Sequence, residues 1–470
     1  MKYRVFADGV ELVTNYARVS KMPFNMVWKG YQRDMEQTEL AYFVSFDMDK
    51  SVTLEIDVLE ADVKTAVIRP LEYGIEYSVN GNRITVSLDK PRKFVLEVNG
   101  IHETLNVFAN EKDDFVPDDN TIYFGAGEHH TGMIYPKSGQ TVYIAEGAVV
   151  YGGIYVYKQD NVTVRGRGIL DSSEILRGDQ LSEDDEFYKE LSAVGLTDRD
   201  IRLITGFTAY ECNNFTVDGV VLRDAPFWSM IIRNGCNNVK INNVKLIGQW
   251  RYNADGFDLC ASMNIKLTDC FVRSFDDSVV IRAVDLDGET TPCDNILVEN
   301  NVLWCDWGKN LEIWCGDKNA VVKNVTFRNN YLVHVTDYAI SIDTWFGAPS
   351  LTVDGVLYEN IYIDTQSDIL TPVIQESQEH KYPCFDTVPA DNRKGTWIGV
   401  GRLGKNLGNQ ACDFSADCSG YVIRYRNITL RNVTCNGEYK LPIKISSQHL
   451  AELSGVTVEN CNMGKYLLNK

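Results

Sequence analysis

Two short acidic motifs are the parts of this chain best suited to chemistry. The first, residues 253–258, reads Asn-Ala-Asp-Gly-Phe-Asp and supplies Asp255 and Asp258. The second supplies Asp276 and Asp277, which run directly into an apolar stretch that predicts a strand. Neighbouring carboxyls resist simultaneous ionisation, so one of a close set keeps its proton near neutral pH while the others stay charged. A proton donor beside a base that activates water is what glycosidic hydrolysis requires.

The surroundings of the Asp pair favour this interpretation over a plain turn. An isolated Asp-Asp pair is usually a solvated turn, because Asp suits turn conformations. Here Asp255 precedes Asp276 by about twenty residues, in a chain that repeats itself on a similar period. Strands of adjacent coils in a stacked repeat are about 4.8 Å apart, so carboxylates one period apart can meet. We therefore predict a catalytic group of Asp255, Asp276 and Asp277.

The repeat itself is a recurring segment in which Asn is followed by alternating apolar and polar residues. Most neighbouring copies lie about 24 to 31 residues apart, which is typical of one coil of a parallel β-helix. The copies begin at Asn161, Asn214, Asn238, Asn264, Asn295, Asn324 and Asn427. These asparagines are expected to form an inward ladder in the turns, since Asn tolerates turn conformations. Equally spaced Cys212, Cys236 and Cys260 are expected to be small buried hydrophobes and not disulfide partners.

The sequence predicts an all-β protein with two domains. Residues 1–115 alternate apolar and polar positions over short runs broken by hairpin signals such as Asn80-Gly81, which predicts an N-terminal β-sandwich-like domain. Residues 121–470 carry the repeat and are predicted to form a right-handed parallel β-helix. Two long departures from the period, near residues 179–200 and 366–420, are expected to wall a groove.

Composition excludes several classes of partner. The net charge of −19 repels polyanions, so neither nucleic acid nor an anionic membrane is an expected partner. The first residues lack a secretion signal, which predicts a cytoplasmic protein, or a secreted one if a leader was trimmed. No Cys pair has zinc spacing and the histidines are isolated, so neither a metal nor another cofactor is expected. The oligomeric state is left open.

The acidic motifs resemble those of a known family. Asn-x-Asp-Gly-x-Asp followed by Asp-Asp-x-x-x-Ile in a β-helix is similar to the polygalacturonases and their relatives, the dextranases and isopullulanases, over roughly residues 121–355. The resemblance implies a right-handed parallel β-helix and hydrolysis with inversion of the anomeric carbon. It also implies that Asp276 is the general acid and that Asp255 and Asp277 hold and activate the water.

The sequence differs from that family at the positions where polygalacturonases bind the carboxylate of the uronate. Lys309 stands where they carry the His of Gly-His-Gly, and Ser341 and Asp343 stand where they carry Arg and Lys. Replacing two cations by a hydroxyl and an acid removes the attraction for an anionic sugar and adds repulsion. The substrate is therefore expected to be a neutral α-linked oligo- or polysaccharide, as in the dextranase branch.

Further residues are candidates for binding the sugar. Glu312 and Asp343 alternate with apolar neighbours, so both should project outward near the acids. Asp258 and Lys309 complete this polar set. Glu312, Asp343 and Lys309 could each equally be a solvated surface charge without a role. Aromatic faces stack on sugar rings, and the tryptophans nearest the acids are expected to do so, although Trp is often simply core. They are Trp250, Trp314 and Trp345.

Three other functions stay open at this stage. A polygalacturonase-type hydrolase of pectic oligosaccharides is the alternative within the class. A polysaccharide lyase or epimerase would need a basic residue and a cationic clamp, for which the sequence offers only Arg282 and Lys309. A non-catalytic glycan-binding solenoid would bind without turnover.

Overall fold

The computed structural model describes residues 1–21, 35–283, 292–315, 319–336, 338–345, 350–364, 371–376, 383–388, 398–404, 422–436, 442–446, 451–462 and 464–469. Its N-terminal strands are β1 (Tyr3–Ala7), β2 (Val10–Leu12), β3 (Asn15–Ser20), β4 (Thr38–Asp47), β5 (Val52–Val58), β6 (Ala66–Arg69), β7 (Tyr77–Asn80), β8 (Arg83–Leu88), β9 (Lys93–Val98) and β10 (Leu105–Asn110). Short 3₁₀ turns lie at Met35–Gln37 and Leu71–Tyr73.

These strands form two five-stranded sheets. Their orders are β2-β1-β5-β8-β7 and β3-β4-β10-β9-β6. Period-two alternation buries every second side chain, as in β5, where Val52, Leu54 and Ile56 are buried. Buried apolar residues of both sheets belong to one cluster. The last of these strands ends at Asn110 and the next begins at Thr121, and the two-domain division stays a prediction.

The remaining strands belong, with one exception, to a single mainly parallel series. They are β11 (Thr121–Phe124), β12 (Gly127–Ile134), β13 (Thr141–Ile144), β14 (Ala148–Tyr157), β15 (Thr163–Gly166), β16 (Ile169–Asp171), β17 (Phe207–Tyr210), β18 (Asn213–Asp218), β19 (Val221–Arg223), β20 (Met230–Arg233), β21 (Asn237–Asn242), β22 (Lys245–Ile247), β23 (Phe257–Cys260), β24 (Met263–Thr268), β25 (Phe271–Ser274), β26 (Val279–Ala283), β27 (Cys293–Glu299), β28 (Val302–Cys305), β29 (Leu311–Cys315), β30 (Ala320–His334), β31 (Ile340–Trp345), β32 (Ser350–Ile363), β33 (Thr371–Glu376), β34 (Pro383–Val388), β35 (Ile398–Gly404), β36 (Val422–Cys435), β37 (Pro442–Ser446), β38 (Glu452–Ser454), β39 (Thr457–Glu459) and β40 (Gly464–Asn469). The exception is the antiparallel hairpin β33-β34.

Parallel pairing through the middle of this series joins every third strand. Thus β17, β20, β23, β26 and β29 stack in register, and two further stacks run beside them through β21 and β22. One coil therefore contributes a strand to each of three faces, and inward side chains of all three form a continuous apolar core. This arrangement is consistent with the predicted parallel β-helix.

The predicted side-chain ladders run along the coils. Cys212 and Cys236 are buried in the core, with the Cys212 amide 3.3 Å from the Cys236 Sγ. Asn238 donates to Asn214 at 2.7 Å, and both adopt the left-handed conformation that suits Asn. The ladder is exposed, so the expectation that it points inward was wrong. The core is filled by the flanking apolar residues, and a polar amide there would lack partners.

The N-terminal sheets pack on one face of the coils. Ala17, Phe43 and Phe108 form a buried cluster with residues of β19, β22, β25 and β28. The rings of Phe108 and Phe271 are 4.9 Å apart. A buried lysine adds a polar contact, because Lys245 Nζ donates to Asn110 Oδ1 at 2.9 Å. The coil that contains Phe271 also contains Asp276. The N-terminal sheets therefore pack against a coil that carries part of the acidic cluster.

Residues 172–206 form an insertion between β16 and β17, called here the helical insertion. It contains a 3₁₀ turn at Gly178–Gln180 and the helices α1 (Glu186–Ala193) and α2 (Asp198–Arg202). Thr197 caps α2 by accepting from the Asp200 amide, which satisfies an unpaired helix-end donor. Across the described ranges, no helix combines the length and apolar character needed to cross a bilayer.

Candidate active site

The stack of β20, β23, β26, β29 and β31 positions the predicted site residues. Register pairs Asp258 with Val280, Val280 with Glu312, and Glu312 with Ser341. Because side chains alternate along a strand, these positions all point away from the core, as do Arg282 and Asp343 two residues further along. This register agrees with the sequence prediction that the side chains of Glu312 and Asp343 project outward from the core.

Two glycines let the acidic turns approach each other. A Cβ on Gly256 would lie 2.2 Å from the Ser278 carbonyl oxygen. A Cβ on Gly308 would lie 2.5 Å from Asp276 Oδ1 and 2.6 Å from Asp277 Oδ1. Real Cβ contacts are never this short, so only glycine permits the backbone of the following coil to pass directly over the Asp pair.

Arg282 joins the two acidic motifs. Its Nη2 lies 2.6 Å from Asp255 Oδ2, and its Nε lies 2.5 Å from Asp258 Oδ1. The same Nη2 is 3.7 Å from Asp277 Oδ2. The planar guanidinium thus fixes the relative positions of carboxylates from two successive coils, which a flexible ammonium cannot do as rigidly.

Lys309 is the second cation of the site. Its Nζ lies 2.8 Å from Glu312 Oε1, 3.7 Å from Asp277 Oδ1 and 3.8 Å from Asp343 Oδ2. Its backbone amide also donates to Asp277 Oδ1 at 2.8 Å. Lys309 therefore ties Asp277 to the two outward acids of β29 and β31.

The adjacent Asp276 and Asp277 have opposite pKa shifts. Burial, followed by the charge of Asp277, raises the pKa of Asp276 well above its ordinary value. Burial also acts on Asp277, but Lys309, a hydrogen bond with Glu312 and the Arg282 charge outweigh it and lower its pKa. The pair therefore combines a carboxyl that keeps its proton with a carboxylate that stays charged, as acid and base roles require.

The other acids of the cluster favour protonation. Burial, together with Asp258 and Asp276, raises the pKa of Asp255, although Arg282 opposes the shift. Burial raises the pKa of Asp258 to about 6, again against Arg282. Burial and the charge of Asp277 raise the pKa of Glu312. More carboxyls than cations meet here, so the cluster shares protons and its members titrate together.

The cluster is more enclosed than the sequence suggested. Asp276 and Asp277 are 7% and 6% exposed, while Asp255, Asp258 and Glu312 are fully buried. Asp side chains are usually exposed to solvent, whereas these are enclosed. The expected groove is therefore not open at these residues. All five acids are almost completely shielded from solvent in this structure.

The three tryptophans that were expected to stack on sugar rings do not all lie beside the acids. Trp250 is buried and donates to Asp224 Oδ1 at 2.9 Å, so it does not present a face to the acids. Trp314 lies near the cluster, with its ring centroid 5.4 Å from the Arg282 guanidinium carbon. The side chain of Trp345 lies outside the described residues. Trp228, which lies just before β20 and thus two coils before Arg282, stacks on the Arg282 guanidinium at 4.5 Å.

Sequence reasoning missed three residues of this site. Arg282 was considered only as a lyase base, although its place two residues after Val280 puts it on the outward face. Trp228 is not one of the tryptophans that the sequence predicts to bind sugar, because its contact with Arg282 joins different coils. The role of Gly308 has no sequence signal beyond its position before Lys309.

In the part of the chain that the structure describes, no group of His, Cys, Asp and Glu residues is suited to hold a metal ion.

Comparison with known proteins shows which families the chain is similar to. The family described as "Glycosyl hydrolases family 28" matches residues 187–390, which include both acidic motifs. Dextranase from Arthrobacter globiformis is 21% identical over 377 residues, covering 74% of this chain and 52% of the relative. Endopolygalacturonase A from Aspergillus niger is 28% identical over 182 residues, covering 38% of this chain and 45% of the relative. The chain therefore spans about half the length of the curated relatives it matches.

A solved structure supports the fold. Dex49A from Penicillium minioluteum superposes with a TM-score of 0.55 at 14% identity, covering 97% of this chain and 88% of that one. At this identity the likeness establishes the fold alone. The sequence matches confirm the resemblance to polygalacturonase-like glycoside hydrolases.

Proposed function

We propose that this polygalacturonase-like chain is an inverting glycoside hydrolase that cleaves α-linked bonds of a neutral oligo- or polysaccharide. The observation that carries the proposal is the pair Asp276 and Asp277. Two adjacent carboxyls with opposite pKa shifts lie side by side in a buried acidic cluster. No other described part of the chain combines a proton donor and a base in this way.

The reaction assigns one step to each acid. Asp276 donates its proton to the glycosidic oxygen, which leaves as an alcohol. Asp277 takes a proton from a water molecule, whose oxygen then forms the new bond to the anomeric carbon from the opposite face. Asp255, held by Arg282 on the neighbouring coil, helps to hold that water. Proton donation and water activation each contribute about 10²- to 10⁴-fold.

The surroundings of the acids support a neutral sugar. The outward positions of β29 and β31 carry Glu312, Ser341 and Asp343, which are buried and supply oxygen atoms but no cation for a uronate. The two cations of the described site, Arg282 and Lys309, already lie within 4 Å of carboxylates. A uronate would have to compete with these acids for them.

Turnover of defined glycans tests the proposal. Dextran and polygalacturonate are incubated with the protein, and newly formed reducing ends are measured together with absorbance in the ultraviolet. We expect release from dextran and none from polygalacturonate, and an initial product of inverted anomeric configuration by NMR. Preference for polygalacturonate would favour the pectic alternative, and an unsaturated, ultraviolet-absorbing product would favour a lyase. Binding without turnover of any glycan would contradict the proposal.

We also propose the finer description of the scaffold: a right-handed winding for the coils and a β-sandwich-like domain for residues 1–115. A right-handed crossover is the general rule for parallel strands joined within one sheet. The shared apolar cluster between the two N-terminal sheets supports the sandwich.

A further inference from the structure

Three buried side chains form a column where the N-terminal sheets pack on the coils. Arg273 of β25, Trp304 of β28 and His334 of β30 pair in register on successive coils. The Arg273 guanidinium carbon lies 3.8 Å from the Trp304 ring centroid, and the ring centroids of Trp304 and His334 are 4.1 Å apart. All three are at most 3% exposed. This set, called here the interface column, is therefore closely packed across three coils.

Each member of the interface column comes shortly before site residues of its own coil. The separations along the chain are three residues from Arg273 to Asp276, five from Trp304 to Lys309 and seven from His334 to Ser341. Backbone hydrogen bonds also join two of these turns, because the amides of Asp306 and Trp307 donate to the carbonyls of Ser274 and Phe275, each at 2.9 Å. A shift of the column would therefore move the turns that carry the acids.

Carboxylates of the N-terminal sheets hold the two ends of the interface column. Glu97 Oε1, from β9, lies 2.5 Å from His334 Nε2. At the other end, Glu39 Oε1, from β4, lies 3.9 Å from Arg273 Nη2, and Thr104 Oγ1 accepts from Arg273 Nη1 at 3.1 Å. The side chains of Glu97 and Glu39 are 2% and 8% exposed. Water screens such enclosed contacts weakly, so each carboxylate restrains its partner strongly.

Glu97 is charged in this environment. Burial acts to raise its pKa, but His334 and Arg69 outweigh burial and lower the pKa below its ordinary value. Arg69 Nε lies 3.0 Å from Glu97 Oε1, and Arg69 Nη1 lies 3.5 Å from Asp364 Oδ2. Replacing Glu97 by Gln keeps the shape of the side chain and removes its charge. The change therefore weakens the hold on one end of the column without opening a cavity.

We propose that Glu97 and Glu39 are positioning residues through which the N-terminal sheets hold the interface column and so fix the turns that carry the Asp pair and Lys309. The inference rests on the proposed hydrolysis and extends it, because it assigns the N-terminal sheets a part in catalysis without contact with the sugar. A misplacement of about 1 Å that originates far from the reacting atoms can lower a rate about 100-fold.

Glu97→Gln tests the proposal by kinetics on the glucan that the wild-type protein cleaves. We expect kcat to fall at least about 10-fold and KM to change much less, because the Asp pair acts on the transition state. The control Leu54→Ala truncates the core that the two N-terminal sheets share and does not touch the column. It should lower Tm and leave the kcat of the folded protein unchanged. A wild-type kcat for Glu97→Gln, or an equal loss in Leu54→Ala, would overturn the inference.

Hydrogen exchange measured by mass spectrometry provides a readout that needs no substrate. In Glu97→Gln we expect the amides of residues 306–310 to exchange at least about 10-fold faster than in wild type, while those of β24, on another face, keep wild-type rates. Wild-type exchange at residues 306–310 would overturn the inference. If the wild-type protein cleaves no glucan, the proposed function fails, and the exchange rates alone decide whether the N-terminal sheets hold these turns. If Glu97→Gln does not fold, Glu39→Gln, at the other end of the column, is measured in the same two ways and the same outcomes decide.

Discussion

The Nη2 atom of Arg282 lies 2.6 Å from Oδ2 of Asp255, which belongs to the preceding coil. This contact joins the two acidic motifs that the sequence separates. It makes the proposed water-binding carboxylate depend on a residue that the motifs themselves do not contain. Removing Arg282 leaves Asp255 buried without its counter-charge, so we expect the pair to matter for geometry as well as charge.

We predict that Arg282→Lys lowers kcat/KM on the cleaved glucan about 100-fold, because an ammonium cannot hold two carboxylates in one plane and small misplacements are costly. Arg282→Gln should show the same loss and, in addition, a higher pH for the acidic limb of the rate profile, since Arg282 lowers the pKa of Asp277. The control Arg328→Lys alters an ion pair with Glu299 on another face. Identical pH profiles in Arg282→Gln and wild type would contradict the effect of Arg282 on the pKa of Asp277, and a wild-type kcat/KM for Arg282→Lys would contradict a positioning role.

Asp276→Asn should abolish proton donation and lower the rate on natural glycans about 10²- to 10⁴-fold. An aryl glycoside with an acidic leaving group needs no such proton, so its rate should fall far less. Asp269→Asn is a matched control on the same coil, because Asp269 is exposed and its left-handed backbone suits Asn. Equal losses on both substrates would show that Asp276 is not the acid.

The rate should depend on pH as a bell-shaped curve. Asp277 must be charged, so activity falls as pH drops through its pKa, which lies below the ordinary 3.8. Asp276 must keep its proton, so activity falls as pH rises through its pKa, which lies above 3.8. Lys309→Met removes a cation that lowers the pKa of Asp277, so the acidic limb should move to higher pH. Lys266→Met, at an exposed position, should leave it in place.

Gly308→Ala places a methyl group 2.5 Å from Asp276 Oδ1, so the Asp pair or the coil above it must shift. We expect a loss of activity of at least 10-fold and, as for other overpacked sites, about 1–3 kcal/mol of unfolding free energy. Gly125→Ala is the control, because its nearest neighbour would be Tyr123 Cε1 at an ordinary 3.4 Å. Activity and stability are measured by glycan turnover and urea unfolding. Full activity of Gly308→Ala would show that the Asp pair tolerates displacement.

Phe108→Ala should destabilise the contact between the N-terminal sheets and the coils. Phe108 is fully buried and packs against Phe271, three residues before Ser274 and close to the Asp pair. Truncating a buried Phe costs about 3–5 kcal/mol, which should appear as a lower Tm. Tyr123→Ala, at an exposed ring, is the control. A wild-type Tm for Phe108→Ala would mean that the two parts do not stabilise each other.

Local pattern was enough to predict the repeating strands and the meeting of the acidic motifs. The apolar residues around Asp258, Asp277 and Glu312 recur with period two within strands and with the coil period between them. Hydrophobic burial then permits one register only, because a shift by one residue would expose the core face. Period alone therefore determined that carboxylates of successive coils share a face.

Contacts between coils and across the insertion could not be predicted in this way. The reach of Arg282 to Asp255, the turn of Trp250 toward Asp224, and the enclosure of Glu312 all depend on side-chain directions and on covering elements far away in sequence. The same holds for the helical insertion, whose acidic composition gave no sign of the apolar cluster beneath it. Periodic burial repeats at fixed intervals along the chain, so it can be recognised in the sequence. Close packing joins residues that have no fixed spacing in the sequence. Only the tertiary structure therefore decided which side chains surround the acids.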